Sequence, residues 1–256
     1  MPSYYAEFKH FNVFSKQVDL IAQTITSYLK DKGIESNRNF RFLDIGANDG
    51  ELTDKVVDIL RGFGKMPDVT ALEPDKETYR KLKHKPYNLV KSRLEDWLAI
   101  ENSTTFDLVL CSHILYHIPE EKWGEITDGL RRRLNNNGNL MVVLDSDDSS
   151  IYRFGNSLKL PTQIRDFGKL VFAQDYQRRL EEKNIPYDQR TINSLMEIPS
   201  YEEMISILAF LYRTQQAEIE KNADKVKEFM NKFKIKHTSV FDWRQEMFIV
   251  STPNPS

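Results

Sequence analysis

The chain has 256 residues, a formal net charge of −2 and one cysteine. This length suits one α/β domain with insertions, or at most two small domains. A single cysteine excludes a disulfide framework and fits a reducing compartment. The near-neutral net charge excludes a protein-wide positive electrostatic potential that would attract nucleic acid. The first ten residues lack the apolar run of a signal peptide, and no apolar run is long enough to span a membrane. We therefore expect a soluble cytoplasmic protein, monomeric or homodimeric, without nucleic-acid or membrane partners.

Helical and extended patterns alternate along the first 150 residues. Apolar residues at helical spacing predict a helix over residues 11–30. Short apolar runs predict strands over 40–45, 69–72, 88–91, 106–111 and 140–144. Between them we expect helices from the glycine turn at 50 to about 61, over 76–83 and over 120–134, with a turn at 135–138. This alternation predicts a parallel sheet covered on both faces.

The pattern loosens after residue 150. We expect a helix over 172–183, a strand over 187–198, a charged helical stretch over 201–233 and a last strand over 240–251. The predicted fold is α/β and Rossmann-like, with a mostly parallel seven-stranded sheet. We predict a single domain over 1–256, made of an N-terminal helical lid (1–39), a core (40–150) and the rest of the sheet (151–256). A helical insertion near 200–235 precedes the last strand and caps the molecule.

A glycine-containing turn follows the first predicted strand. Gly46 and Gly50 allow a ligand to approach the backbone closely, and Asn48 tolerates a left-handed conformation. The turn also contains three acids, Asp44, Asp49 and Glu51. Three carboxylates at a helix N-terminus repel a pyrophosphate, but they suit a ligand with an ammonium and a sulfonium group. The turn therefore favours S-adenosylmethionine (SAM) over NAD.

Glu73 ends the second predicted strand, 23 positions after Gly50. In open parallel sheets, an acid at this strand end binds the hydroxyls of a ribose. The turn and the acid together therefore predict one nucleoside site at the carboxyl ends of the strands.

Across residues 40–150 the sequence resembles the class I SAM-dependent methyltransferases. Asp44, Gly46 and Gly50 are similar to the first motif of the family, with Asn48 in place of its middle glycine. Glu73 is similar to the family's ribose-binding acid, and residues 92–96 to its adenine-side segment. The resemblance implies SAM as the cofactor, S-adenosylhomocysteine (SAH) as the product and no metal. It also implies further cofactor contacts by Pro74, Arg93, Leu94, Cys111 and Ser112.

Within this family the layout looks most like that of the small-molecule enzymes exemplified by histamine N-methyltransferase. The similar features are the segment 106–117, the helix-rich stretch after the fifth strand and the helical insertion before the last strand. The resemblance implies direct in-line methyl transfer to a small-molecule acceptor at nitrogen, or alternatively at oxygen.

The resemblance also places the end of the fourth strand beside the transferable methyl group. His113 is the first candidate for orienting or deprotonating the acceptor and His117 the second, since neutral histidine accepts a proton near pH 7. Tyr116 is a candidate to close over the sulfonium with its ring. The residues expected to contact the acceptor are Tyr4, Tyr5, Phe8, Asp145, Tyr152 and Trp243.

Three other functions remain open from the sequence. The enzyme could methylate a macromolecule such as tRNA or protein, or the chain could be a SAM-binding module without turnover. An NAD-dependent dehydrogenase is a more distant alternative because of the acids in the turn. The chain has neither the Asn/Asp-Pro-Pro-aromatic tetrad of base-amino methyltransferases nor the Pro-Cys pair of a cytosine-C5 enzyme.

Overall fold

The computed structural model describes residues 4–33, 39–100, 103–160 and 170–252. Within these ranges the strands are β1 Asn39–Ile45, β2 Met66–Leu72, β3 Asn88–Val90, β4 Phe106–Ser112, β5 Leu134–Asp145, β6 Asp188–Ile198, β7 Lys234–Ile235 and β8 Thr238–Ser251. The helices are α1 Tyr4–Ser15, α2 Gln17–Lys32, α3 Glu51–Gly62, α4 Lys76–Leu82, α5 Leu94–Ala99, α6 Trp123–Arg131, α7 Ser150–Ser157, α8 Ala173–Glu182, α9 Tyr201–Tyr212, α10 Gln216–Glu220 and α11 Ala223–Lys232. None of the helices in the described ranges is both long and apolar enough to cross a membrane.

The strands form one sheet in the order β3-β2-β1-β4-β5-β8-β6, and the two-residue β7 pairs with β8. Strands β1 to β5 run parallel, while β8 pairs antiparallel with both β5 and β6. Ile45 lies level with Leu72 on one side and with Cys111 on the other, so β1, β2 and β4 end together. We call this part of the molecule the carboxyl edge. The predicted Rossmann-like, mostly parallel sheet is confirmed.

Both faces of the sheet are buried by helices, which explains the continuous apolar runs of its central strands. Alternate residues of each strand point to opposite faces: Phe42 joins the core under α2 and α3, and Leu43 joins the core under α6 and α8. Ile21 and Val56 fill the first core, and Trp123 and Tyr176 fill the second. This two-sided packing orients the carboxyl edge, where polar side chains gather.

The predicted helix over 11–30 is in fact two helices. Lys16, between α1 and α2, has a φ of 50° in the left-handed region, which interrupts the helical ladder. The aromatic segment from Tyr4 onward is itself helical and packs against β6 and α9. We call α1 the lid. The side chain of Tyr4 lies outside the described part of the structure.

Two predicted elements differ in detail from those in the structure, and two helices of the structure have no predicted counterpart. The helical stretch over 201–233 is divided into α9, α10 and α11, with Arg213 left-handed at the first break. The predicted turn at 135–138 is an irregularity inside β5, since Phe106 pairs with Leu134 but Leu108 pairs with Asn139. Two short helices, α5 and α7, have too few residues for a clear apolar period and were not predicted.

Candidate active site

A cavity of about 310 Å³ lies between the lid, the start of α2 and the carboxyl edge. Both the predicted cofactor motif and the first predicted histidine contribute to its walls. We call the part formed by β1 and β2 the cofactor end, and the part formed by the segment after β4 the acceptor end. The lining residues are Tyr5, Phe8, Asn12, Gln17, Val18, Ile21, Asp44, Gly46, Ala47, Asn48, Asp49, Glu51, Leu52, Glu73, Pro74, Asp75, Glu77, Thr78, Ser112, His113, Ile114 and His117.

The turn after β1 has three residues with positive φ: Gly46 at 70°, Asn48 at 52° and Gly50 at 82°. A Cβ atom on Gly46 would lie 2.0 Å from the Cδ1 atom of Ile114, so any other residue here would have to displace the end of that side chain as well as adopt a positive φ. The buried side-chain oxygen of Asn48 has no hydrogen-bond partner in the described structure. It can therefore accept a hydrogen bond from a ligand in the cavity.

Glu73 holds the turn from the end of β2. Its Oε2 atom accepts a hydrogen bond from the backbone N–H of Asn48 and its Oε1 atom one from that of Asp75, each at 2.9 Å. Burial raises the pKa of Glu73, and the two backbone hydrogen bonds oppose this effect. A carboxylate offers about four acceptor positions, so two further positions can accept the hydroxyls of a ribose.

Asp44 lies at the cofactor end with only 3% of its surface exposed. The hydroxyl of Thr53 donates a hydrogen bond to its Oδ2 atom at 2.5 Å. Burial raises the pKa of Asp44 to about 7; the hydrogen bond from Thr53 opposes this and the charge of Glu73 adds to it. A cation in the cavity favours the ionised form of such a carboxyl group.

The other two acids of the turn bind the lid. The Lys9 ammonium contacts Asp49 at 2.7 Å and Glu51 at 2.6 Å, and the Tyr5 hydroxyl donates to Asp49 at 3.0 Å. Burial alone raises the pKa of Asp49, but the hydrogen bonds and charge of Lys9 and the hydrogen bond of Tyr5 lower it below its usual value. The expectation that all three acids face a cationic ligand is therefore corrected: of the three, Asp44 is the one that has no cationic side chain beside it among the described residues.

Tyr5 and Phe8, two of the residues expected to contact the acceptor, line the cavity from the lid, and Tyr5 does so beside the cofactor motif. The Nζ atom of Lys81 lies 3.3 Å from the centroid of the Tyr5 ring, and Phe8 stands 6.5 Å from the ring of Phe210. The lid is therefore fastened at one end to the cofactor motif and at the other to α9.

Ser112, His113 and His117 meet at the acceptor end. His113 has a φ of 58°, and its Nε2 atom lies 2.9 Å from the side-chain nitrogen of Gln245. Burial lowers the pKa of His113, although the charge of Asp145 opposes this, so the ring is neutral near pH 7. The 3.8 Å contact between the Nδ1 atom of His113 and Asp145 is therefore not an ion pair. His117 ends the 3-10 turn Leu115–His117 and is exposed.

Several predicted site residues lie outside the cavity lining. Tyr116 stacks on His113 at 5.8 Å and accepts a hydrogen bond from the backbone N–H of Asp145 at 2.6 Å, instead of closing over the cavity. Cys111 and Leu94 are buried in the core beneath the sheet because their side chains point away from the carboxyl edge, and Arg93 is exposed.

The expected acceptor contacts beyond the lid are also placed elsewhere. Asp145 accepts a hydrogen bond from the Tyr152 hydroxyl at 3.0 Å, and Tyr152 packs at 5.0 Å from the ring of Trp243 in a separate buried cluster. Asn12, Gln17 and Gln245 are polar residues of the site that the sequence did not indicate. Amide side chains outside a motif give no signal, and only the three-dimensional arrangement brings these three to the acceptor end.

Residues 43–140 match the family model described as a methyltransferase domain. No curated protein sequence is significantly similar to the chain.

Solved structures extend the likeness to nearly the whole chain. The YcgJ protein from Bacillus subtilis has 14% identity and a TM-score of 0.57 over 90% of this chain and 100% of its own. The plantazolicin methyltransferase BpumL in complex with SAH has 16% identity and a TM-score of 0.57 over 98% and 88% of the respective chains. A SAM-dependent methyltransferase from Leishmania major has 14% identity and a TM-score of 0.50 over 74% and 77%. At these identities the likeness concerns the fold.

Proposed function

We propose that this chain, a class I SAM-dependent methyltransferase by its domain match and fold, methylates a nitrogen atom of a small-molecule acceptor. The observation that supports this proposal is a cavity of about 310 Å³ with the cofactor motif at one end and two histidines at the other. Clefts and cavities of roughly 300–1,000 Å³ are typical of small-molecule sites. The likeness of layout to histamine N-methyltransferase is part of the same proposal, as are a cytoplasmic location and a monomer or homodimer.

The residues at the cofactor end fit SAM. Glu73 has acceptor positions for the ribose hydroxyls, and Asp44 provides a carboxylate for the cationic part of the molecule. The orphan side-chain oxygen of Asn48 fits a further donor. SAM, when bound, supplies a methyl group on a sulfonium, which a nucleophile can displace directly.

Among the described residues, no carboxylate lines the acceptor end. Asp145, expected to contact the acceptor, is buried and engaged by Tyr152 and Gln245 instead of lining the cavity. The nearby Asp148 pairs with Arg244 at 3.3 Å. We therefore propose that the acceptor nitrogen binds without a positive charge. A neutral nitrogen keeps the lone pair that displaces the methyl group, and positioning alone lowers such a barrier by up to ~7–11 kcal/mol.

Calorimetric titration with SAM, SAH and an NADH control comes first, followed by SAH formation over a panel of acceptors. The panel contains uncharged nitrogen compounds, alcohols, quaternary ammonium compounds, RNA and unfolded protein. We expect micromolar binding of SAM and SAH, no binding of NADH, and turnover of uncharged nitrogen acceptors only. His113→Asn is expected to lower turnover at least tenfold and to change SAM affinity less than twofold.

A macromolecular acceptor is the second candidate function. Lys76 and Arg80 on α4 and Lys83 directly after it are exposed at spacings that place them on one side of this segment, beside the cofactor end of the cavity. Methyl transfer to RNA or protein with no turnover of any small compound would favour this alternative. SAM binding without turnover on any member of the panel would favour a regulatory module.

A further inference from the structure

Gln245 connects the acceptor end to the lid. It lies on β8 opposite Asp145 of β5 and is 1% exposed. Its side-chain nitrogen is 2.8 Å from Oε1 of Gln17, 2.9 Å from Nε2 of His113 and 3.1 Å from Oδ1 of Asp145. One amide group is thus shared by residues of α2, β5 and the segment after β4.

The orientation of this amide follows from its neighbours. Both carboxyl oxygens of Asp145 are acceptors here: Oδ2 accepts from the Tyr152 hydroxyl, and Oδ1 faces the Gln245 nitrogen. Gln17 donates through its own side-chain nitrogen to Asn12 at 2.5 Å, which leaves its Oε1 atom as an acceptor toward Gln245. If the Gln245 amide were rotated by 180°, its carbonyl oxygen would face two oxygen acceptors. The NH2 group of Gln245 therefore points into the cluster.

This orientation determines the tautomer of His113. An Nε2–H group facing an NH2 group places two donors against each other, so the Nε2 atom of His113 bears the lone pair. The two hydrogens of Gln245 are then shared among this nitrogen, Oε1 of Gln17 and Oδ1 of Asp145. The ring proton then lies on Nδ1, which faces the Tyr116 oxygen at 3.4 Å and Oδ1 of Asp145 at 3.8 Å. Both ring nitrogens of His113 are engaged within the protein.

We propose that Gln245 is a positioning residue for methyl transfer, which holds His113 as the neutral Nδ1–H tautomer with its ring fixed at the acceptor end of the cavity. In this arrangement His113 shapes the acceptor site and does not take the acceptor's proton. The part of this proposal that concerns the reaction rests on the proposed function; the tautomer does not.

The tautomer is tested by 15N NMR of histidine-labelled protein between pH 5 and 8, with His113→Asn to assign the signals. We expect the wild-type spectrum to show an unprotonated Nε2 and a protonated Nδ1 at neutral pH. Gln245→Glu places a carboxylate at Nε2 and is expected to raise the pKa of His113 by at least one unit. Gln245→Met removes the donor and is expected to give a mixture of tautomers. Gln189→Met, the same change at an exposed site on β6, is the matched control and leaves the spectrum unchanged.

The kinetic test uses the best acceptor from the panel. Gln245→Met is expected to lower kcat at least tenfold with the KM for SAM within twofold, while Gln189→Met changes neither. His113→Asn is expected to lower the rate without changing the shape of the pH–rate profile, because His113 does not take the acceptor's proton in this arrangement. A wild-type Nε2–H tautomer, or Gln245 variants that lose stability but keep the spectrum and pH profile of the wild type, would overturn the proposal. The NMR measurement needs no acceptor, so it decides the tautomer even if the acceptor panel fails.

Discussion

Asp44→Asn is expected to stabilise the ligand-free protein and to weaken cofactor binding. Burial raises the pKa of Asp44 from 3.8 to about 7 in the folded protein, against the opposing effect of the Thr53 hydroxyl. Between about pH 4 and pH 7 the native state therefore holds a proton that the unfolded chain has lost. The contribution of this group to stability falls as pH rises through that window and stays low above it.

The size of the effect follows from the difference in pKa. A difference of about three, at 1.36 kcal/mol for each pKa unit, corresponds to about 4 kcal/mol. Asparagine has the same shape and can accept the Thr53 hydrogen bond, but it does not ionise. The gain in unfolding free energy is therefore expected to grow from roughly 1–2 kcal/mol at pH 5 to about 4 kcal/mol at pH 8.

Cofactor binding changes in the opposite direction. Two unit charges 4 Å apart attract by about 4 kcal/mol at an effective dielectric constant of 20. Losing even a third of this attraction weakens binding about tenfold. We therefore expect the SAM affinity of the wild type to rise between pH 5 and pH 7 as Asp44 ionises, and that of Asp44→Asn to be lower and nearly independent of pH.

Urea unfolding without ligand at pH 5, 6, 7 and 8 measures the first effect, and calorimetric titration at the same pH values measures the second. Asp58→Asn is the matched control, because that side chain is 77% exposed on α3, and it should change neither quantity. The reasoning is refuted if Asp44→Asn is less stable than the wild type at pH 8, or if its gain does not grow between pH 5 and pH 7.

Three further predictions test other parts of the site. Glu73→Gln loses acceptors for ribose hydroxyls and is expected to lower the affinities for SAM and SAH equally, by at least tenfold. Calorimetry measures both affinities, and unchanged values for both would contradict the assignment of Glu73 to the ribose. Gly46→Ala is expected to cost about 2–4 kcal/mol in urea unfolding, since it adds a steric clash to the cost of a positive φ. Gly64→Ala is also at positive φ, but the added Cβ would have no atom within 4 Å, so this change should cost about 1–2 kcal/mol in unfolding free energy. An equal cost for Gly46→Ala and Gly64→Ala would contradict the clash with Ile114. Lys9→Met releases the lid and is expected to speed SAM association in stopped flow at least threefold. Lys55→Met, which breaks an ion pair with Asp19, should not change the rate. If Lys9→Met binds SAM at the wild-type rate, the lid has no closing role.

The carboxyl edge could be predicted because its signals are local. The apolar run over 40–45 lies within one residue of β1, and the glycine turn follows it directly. A buried parallel strand must be apolar along its length, and a turn at positive φ selects glycine or asparagine. The position of Glu73 at the end of β2 follows from the same alternation of strand and helix.

The breaks in the helical segments could not be predicted. Lys16 and Arg213 adopt left-handed conformations that their residue types disfavour, and the surrounding packing imposes them. Because of the first break, the lid is separate from α2 and can contribute Tyr5 and Lys9 to the cofactor motif. The sequence therefore assigned Asp49 and Glu51 to the ligand, whereas the structure pairs them with Lys9.

The acceptor end is the least predictable part, because its polar groups come from distant parts of the chain. Gln17 and Gln245 are separated by 228 positions and meet through a single hydrogen bond. No periodicity or spacing relates them. Their contact depends on β8 pairing with β5, and that pairing places Gln245 beside Asp145.

The place of β8 in the sheet has a consequence for the order in which the protein is made. β8 lies between β5 and β6, although both precede it in the chain. A ribosome working at about 5–20 residues per second reaches residue 245 roughly 5–20 s after residue 145. During that interval the nascent chain has the glycine turn and Glu73, but β6 has no neighbour in the sheet and no amide lies beside His113. The strands that form the cofactor end are thus made before β8, which supplies Gln245 next to the acceptor end. When β8 is complete, it joins β6 to the rest of the sheet.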